Sequence, residues 1–150
     1  MKTLIVCASV SHGNTMKVAQ VIGEVLAARV ATPESVAAGE LDGYDLIGFG
    51  SGVRGMALYP QLTEFVRALP PGQRGRAFAF ATSGFPEPPF RPYLSSFARR
   101  LDRKGFEVVG TFSCRALDTW LPLRLIGGLH NGRPDAADLA AARAFAETLT

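Results

Sequence analysis

Leu4-Ile5-Val6-Cys7-Ala8-Ser9-Val10-Ser11-His12-Gly13-Asn14-Thr15 changes character halfway along. Leu4 to Cys7 is wholly apolar, the pattern of a short strand covered on both faces. From Ser9 onward the side chains turn small and polar. Gly13-Asn14-Thr15 then leads into Val18, Ile22, Val25 and Leu26, an apolar stripe at helical spacing. Strand, polar turn and helix in that order set the free N–H groups of a first helical turn beside the hydroxyls of Ser9, Ser11 and Thr15. With the helix dipole behind it, such a turn can surround a phosphate without any lysine. The same residues also read as a plain polar turn with an Asn/Thr helix start. The phosphate reading is favoured by position, at the end of a buried strand with two further loops converging on it. It is not a Walker loop, because the glycine spacing and the Lys-Ser/Thr ending are absent. Nor is it a dinucleotide fingerprint, which needs three spaced glycines and a later acid.

Outward from this stretch, strand and helix keep alternating. Gly23 in mid-helix costs about 1 kcal/mol relative to Ala and makes sense where the helix presses closely on a sheet. A weak second strand is expected at Arg29 to Ala31, before Pro33. Tyr44 to Phe49 reads as the third strand, ending in Gly50-Ser51-Gly52. Leu58, Leu62, Phe65, Val66 and Leu69 mark an amphipathic helix with Pro60 in its first turn, where a missing N–H does no harm. Ala77 to Ala81 reads as the fourth strand, and Phe90, Leu94, Phe97 and Leu101 stripe the next helix. Phe106 to Phe112 is the fifth strand. The last helix opens at Asp135, with Asp138 favourable to its dipole, and buries Leu139, Ala142, Ala146 and Leu149.

This alternation, without repeat or linker, implies one α/β domain over residues 1–150, a doubly wound five-stranded parallel sheet with helices on both faces. Ligands of such sheets sit beyond the carboxyl ends of the strands. Glycine-bearing loops mark that edge at Ser9 to Thr15, Gly50 to Gly55 and Thr82 to Phe85.

Composition narrows the function classes. The 150 residues are 47% hydrophobic, and sixteen basic against thirteen acidic side chains leave a net charge of +3. That excess is too mild and too dispersed for nucleic-acid binding, and Arg99, Arg100, Arg103 and Lys104 read as a solvated helix face. Cys7 and Cys114 end apolar runs, where reduced cysteine packs as a small hydrophobe, so a reducing compartment is expected. The N-terminus lacks a signal-peptide pattern, and no segment is long and apolar enough for a membrane span. The expectation is a cytoplasmic protein.

The loops carry a resemblance. Ser-x-x-x-Gly-Asn-Thr at Ser9 to Thr15, Tyr-Asp-Leu-Ile-Gly-Phe-Gly-Ser-Gly at Tyr44 to Gly52, and Thr-Ser-Gly at Thr82 to Gly84 resemble the flavodoxin family. The likeness runs on through Ile-Gly-Gly at Ile126 to Gly128 and Gly-Arg-Pro-Asp at Gly132 to Asp135. It is nearest to the small single-domain prokaryotic form. The resemblance implies a flavodoxin-like sheet of strand order 2-1-3-4-5 and flavin mononucleotide (FMN) as cofactor. Ser9, Ser11, His12, Gly13, Asn14 and Thr15 would hold the phosphate. Ser51, Gly52, Val53 and Arg54 would line one side of the isoalloxazine ring, and Thr82, Ser83, Gly84 and Phe85 the other. Better-known members stack large aromatics on the ring and surround it with carboxylates. Here Phe85 is one aromatic candidate, Met56 and Tyr59 are candidates opposite it, and Arg54 stands where an acid is usual.

The resemblance further implies an electron-transfer protein working with a redox partner protein or a small-molecule acceptor, its chemistry carried by the cofactor. Two alternatives stay open. One is an FMN-dependent oxidoreductase of quinone reductase or protoporphyrinogen oxidase type, with the Ser113 to Pro134 segment shaping a substrate pocket. The other is a flavin-binding regulatory module without turnover. No nucleophile–base pair and no metal-ligand spacing stand out. His130 reads as a turn residue, Cys114 beside Arg115 as packing, and Trp120 as either a flavin cover or packing under its loop.

Overall fold

The computed structural model describes residues 1–9, 14–54, 56–83, 92–115 and 136–150. The first strand, β1 (Thr3–Ala8), is buried along its whole length. Helix α1 (Asn14–Leu26) follows, then the short β2 (Arg29–Ala31). Two 3-10 turns, Pro33–Ser35 and Ala38–Gly43, lead to β3 (Leu46–Arg54). After β3 come the two-residue β4 (Ala57–Leu58), α2 (Pro60–Ala68) and β5 (Arg76–Ser83). Helix α3 (Tyr93–Lys104), β6 (Glu107–Arg115) and a last helix, α4 (Ala136–Thr148), complete the described elements.

The main sheet runs β2-β1-β3-β5-β6, every neighbour parallel, with β4 folded back antiparallel on β3. Leaving β4 out of the count, this is the expected order 2-1-3-4-5. Period-two alternation divides each strand between two cores. Leu4, Val6 and Ala8 face the side covered by α2 and α3, where Phe49, Leu62, Val66, Phe97, Leu101 and Phe106 also lie. Ile5 and Cys7 face the other side, with Val18, Ile22, Phe78, Phe80, Ala142 and Ala146. Each of the buried phenylalanines contributes roughly 1.5–3 kcal/mol through the water-exposed area it removes. Gly23 of α1 meets β2 as its position suggested: a methyl group there would stand 3.0 Å from Val30 Cγ2.

Three element ends differ from the expectation. The third strand does not stop at Phe49. Gly50 and Ser51 pair with Cys7 and Ala8 on one side, and Gly50, Ser51 and Gly52 pair with Phe80, Ala81 and Thr82 on the other. A ladder filled on both sides outweighs the turn propensity of Gly-Ser-Gly. The glycines have a packing cause as well, since the Phe78 and Phe80 rings occupy the space of a Cβ at Gly48 and Gly50. The fourth strand likewise continues to Ser83, and the fifth continues past Phe112 to Arg115, because Ala81, Thr82 and Ser83 pair with Ser113, Cys114 and Arg115. Phe90, expected on the third helix, and Asp135, expected to open the last, lie outside the described residues.

The helix ends facing away from the strand tips are fixed by specific bonds. Lys104 Nζ donates to the carbonyls of Arg67 and Leu69 at 3.0 and 2.5 Å, which ties the end of α3 to the end of α2. Such a cation satisfies carbonyls that the helix itself leaves unpaired.

Candidate functional site

The carboxyl ends of β1, β3 and β5 lie side by side. Ala8 pairs with Ser51, and Gly52 pairs with Thr82, so Ser9, the Ser51–Arg54 segment and Thr82–Ser83 emerge on one edge. Asn14 opens α1 at this edge, and the first turn of that helix contains no carboxylate to neutralise its dipole. The sequence expectation of convergence is met for these residues. Ser11, His12, Gly13, Gly84 and Phe85 lie outside the described residues, as do Gly55, Trp120 and His130.

Four hydroxyls give the edge its chemistry. Thr15 Oγ1 and Thr82 Oγ1 are buried and 2.6 Å apart, and either can be the donor. A hydroxyl carries one hydrogen, so whichever threonine donates, the other keeps an unspent O–H. Ser9 Oγ is buried with no hydrogen-bond partner in the structure, a state that costs about 1–3 kcal/mol unless something else binds it. Ser51, in contrast, has its hydrogen committed. Its hydroxyl donates to the Gly52 carbonyl at 2.6 Å and accepts from the Tyr59 N–H at 2.9 Å. Ser51 therefore ties the end of β3 to the start of α2, and what it offers outward is backbone.

The turn from β3 to β4 is held by Tyr59. A methyl group on Gly52 would stand 2.7 Å from the Tyr59 hydroxyl oxygen, so any side chain there would have to displace the Tyr59 ring. The Arg54 guanidinium lies over the same ring, 5.6 Å from its centroid, a cation–π contact worth roughly 0.5–1 kcal/mol at an exposed site. Arg54 is exposed and Val53 half-buried. Met56 holds a left-handed backbone (φ 61°) at the hairpin turn and exposes 43% of its surface. Arg54, Tyr59, Pro60, Gln61 and Glu64 line a cleft of about 430 Å³ beside the strand tips.

Below this edge, Cys7 pairs with Gly50 in the ladder. Its thiol is pushed up from the usual 9.0 to about 12 by burial, which makes it a packing group and not a nucleophile. Among the described residues no group of three His, Cys, Asp or Glu could hold a metal ion. Likewise, no helix among them is long and apolar enough to cross a membrane. Neither the Thr15–Thr82 bond nor the Ser51–Tyr59 bond was visible in the sequence, because each depends on sheet register.

Comparison with known proteins gives this geometry its context. An uncharacterized protein of Methanocaldococcus jannaschii is 34% identical over 154 residues, covering 99% of this chain and 98% of the relative. Among solved structures, flavodoxin 1 of Bacillus cereus superposes with a TM-score of 0.70 at 21% identity, covering 98% of this chain and 95% of that one. A flavoprotein of Lactobacillus acidophilus, in complex with FMN, has a TM-score of 0.59 at 21% identity, covering 75% and 92%. At such identities these structures speak to the fold. The family model described as a flavodoxin domain matches residues 4–112, from the first strand through most of the fifth strand of the main sheet, and the chain belongs to the flavodoxin family.

Proposed function

We propose that the chain binds FMN at the carboxyl edge of its sheet and serves as an electron carrier. The unpartnered Ser9 hydroxyl carries this reading. It sits where β1 ends, the edge at which α1 begins, and with the spare O–H of the Thr15–Thr82 pair it forms a donor set suited to a phosphate. A mononucleotide is the ligand this arrangement supports best: donors at the helix start for the phosphate, and glycine-containing backbone at β3 for a flat ring. The phosphate would be held by Ser9, Ser11, His12, Gly13, Asn14 and Thr15. The ring would lie between Ser51, Gly52, Val53 and Arg54 on one side and Thr82, Ser83, Gly84 and Phe85 on the other. Bound FMN would supply the reversible uptake of one or two electrons. The protein's part is binding and electrostatics: Tyr59 and Ser51 fix the Gly52 backbone, and the packed strands keep water from one side of the edge.

Titration of the purified protein with FMN and with riboflavin, followed by absorbance, tests the reading. FMN should bind much more tightly than riboflavin, because only FMN presents a phosphate, and Asn14→Ala with Thr15→Ala should erase most of the difference. Equal affinity for both ligands would count against this edge as a phosphate site. Saturable oxidation of a nicotinamide cofactor by the protein alone, with a quinone acceptor, would replace the carrier by an enzyme.

A further inference from the structure

Between α2 and α3, below the β4 hairpin, lies a second cleft of about 350 Å³. Its lining includes the buried Leu58 and Phe97 on the apolar side, and Thr63, Ser96, Glu64, Arg67 and Arg100 on the polar side. Arg67 already has a carboxylate, Glu64 Oε1 at 3.1 Å. Arg100 is half-buried and makes no ion pair or hydrogen bond among the described residues. A half-buried guanidinium with five donors and no bonded acceptor among the described residues keeps its capacity for a bidentate carboxylate.

The cleft is not isolated. Pro60 and Glu64 line both it and the neighbouring cleft that holds Arg54. The two clefts therefore adjoin across Pro60 and Glu64 as a groove from the end of β3 to the middle of α3, and among their described lining residues Arg54, Arg67 and Arg100 are set against one carboxylate, Glu64. Asp102, the one acid of α3, does not line it.

We propose that this groove docks an acidic segment of a partner protein, one carboxylate side chain seating on Arg100 with its stem against Phe97 and Leu58. Charge complementarity selects the occupant: a basic segment would meet three guanidiniums, and a purely apolar one would leave Arg100 desolvated and unpaired. The inference rests on the electron-carrier reading for the partner's role; the groove shares Arg54 with the proposed flavin edge, while the carboxylate contact at Arg100 lies outside the residues assigned to the flavin.

The test is a titration of the isotope-labelled full chain with a blocked tetraglutamate peptide at low salt, followed by amide and guanidinium NMR. Saturable shifts are expected at Thr63, Ser96 and the Arg100 Nε–H. Arg100→Gln should weaken the peptide by about tenfold, and Arg100→Lys, which keeps the charge but not the fork, should fall between. The spectrum of each variant reports whether it is folded. Equal affinity of Arg100→Gln and wild type would overturn the proposal, as would equal binding of a tetralysine peptide. Acetate at equal carboxylate concentration reproducing the same shifts would make the cleft a small-anion site and equally overturn it. FMN titrations on the same samples separate the two readings: lost flavin binding with intact peptide binding defeats only the carrier.

Discussion

Thr15 Oγ1 and Thr82 Oγ1 meet at 2.6 Å in a buried contact between residues 67 positions apart, one in the first turn of α1 and the other near the end of β5. The energetics of the contact follow from burial: each hydroxyl is expensive to leave without the other. Thr15→Val and Thr82→Val should each cost about 1–3 kcal/mol. The double variant should cost clearly less than the sum, because no orphaned hydroxyl remains. Urea unfolding of the four proteins checks this, and strict additivity would mean that the contact contributes nothing.

Ser9 should respond with opposite signs in the two states of the site. Without ligand, Ser9→Ala removes a buried hydroxyl that has no partner, so stability should stay level or rise by up to about 1 kcal/mol. With FMN, the same change should weaken binding by about tenfold. Thermal unfolding with and without FMN reads both effects. A variant destabilised in both conditions would show that Ser9 serves packing alone.

The Cys7 thiol sets a limit at alkaline pH. Burial raises it from the usual 9.0 to about 12, so the folded state favours the neutral thiol. Its stabilisation is complete below pH 9, and it is lost as pH rises toward 12, at up to about 1.4 kcal/mol per unit. In a Cys114→Ser background, native protein at pH 8 should resist thiol reagents and urea-unfolded protein should react at once. Rapid labelling of native protein would show that β1 opens readily.

Arg54 gives an electrostatic prediction that rests on the flavin reading. A cation near the ring favours the more negative, fully reduced cofactor, and an anion disfavours it. Arg54→Glu should therefore lower the second one-electron potential, more so at low ionic strength because an exposed charge is screened by salt. Spectroelectrochemical titration at two salt concentrations measures it. An unmoved potential would place Arg54, stacked on Tyr59, away from the ring.

What could be read from the sequence was whatever local pattern controls. The continuous apolar runs of β1 and β5 and the helical stripe of α1 fixed their type, and alternation fixed the layer order. The end of β3 escaped because Gly50-Ser51-Gly52 carries the composition of a turn, while its real determinants are Phe78, Phe80 and two neighbouring strands. The hairpin to β4 escaped for a related reason: its turn passes through Met56 at φ 61°, a conformation rarely given to an unbranched apolar residue. At the candidate site the residue types were legible, but the division of labour among them was not. Ser51 and Ser9 look alike as serines beside small residues. Only the folded chain distinguishes a hydroxyl spent on Tyr59 from one with no partner.

The alternation of Gly48 and Gly50 with the rings of Phe78 and Phe80 has a consequence for how this chain can diverge. Each ring fills the volume that a side chain on the adjacent strand would claim, so each glycine–phenylalanine pair holds one shared volume, divided unequally. A lone enlargement at either glycine overfills it, and a lone reduction at either phenylalanine leaves a void. Drift through this part of the sheet must therefore move volume across the β3–β5 boundary, two positions at a time. Descendants of this chain should fall into discrete packing types, with few sequences in between.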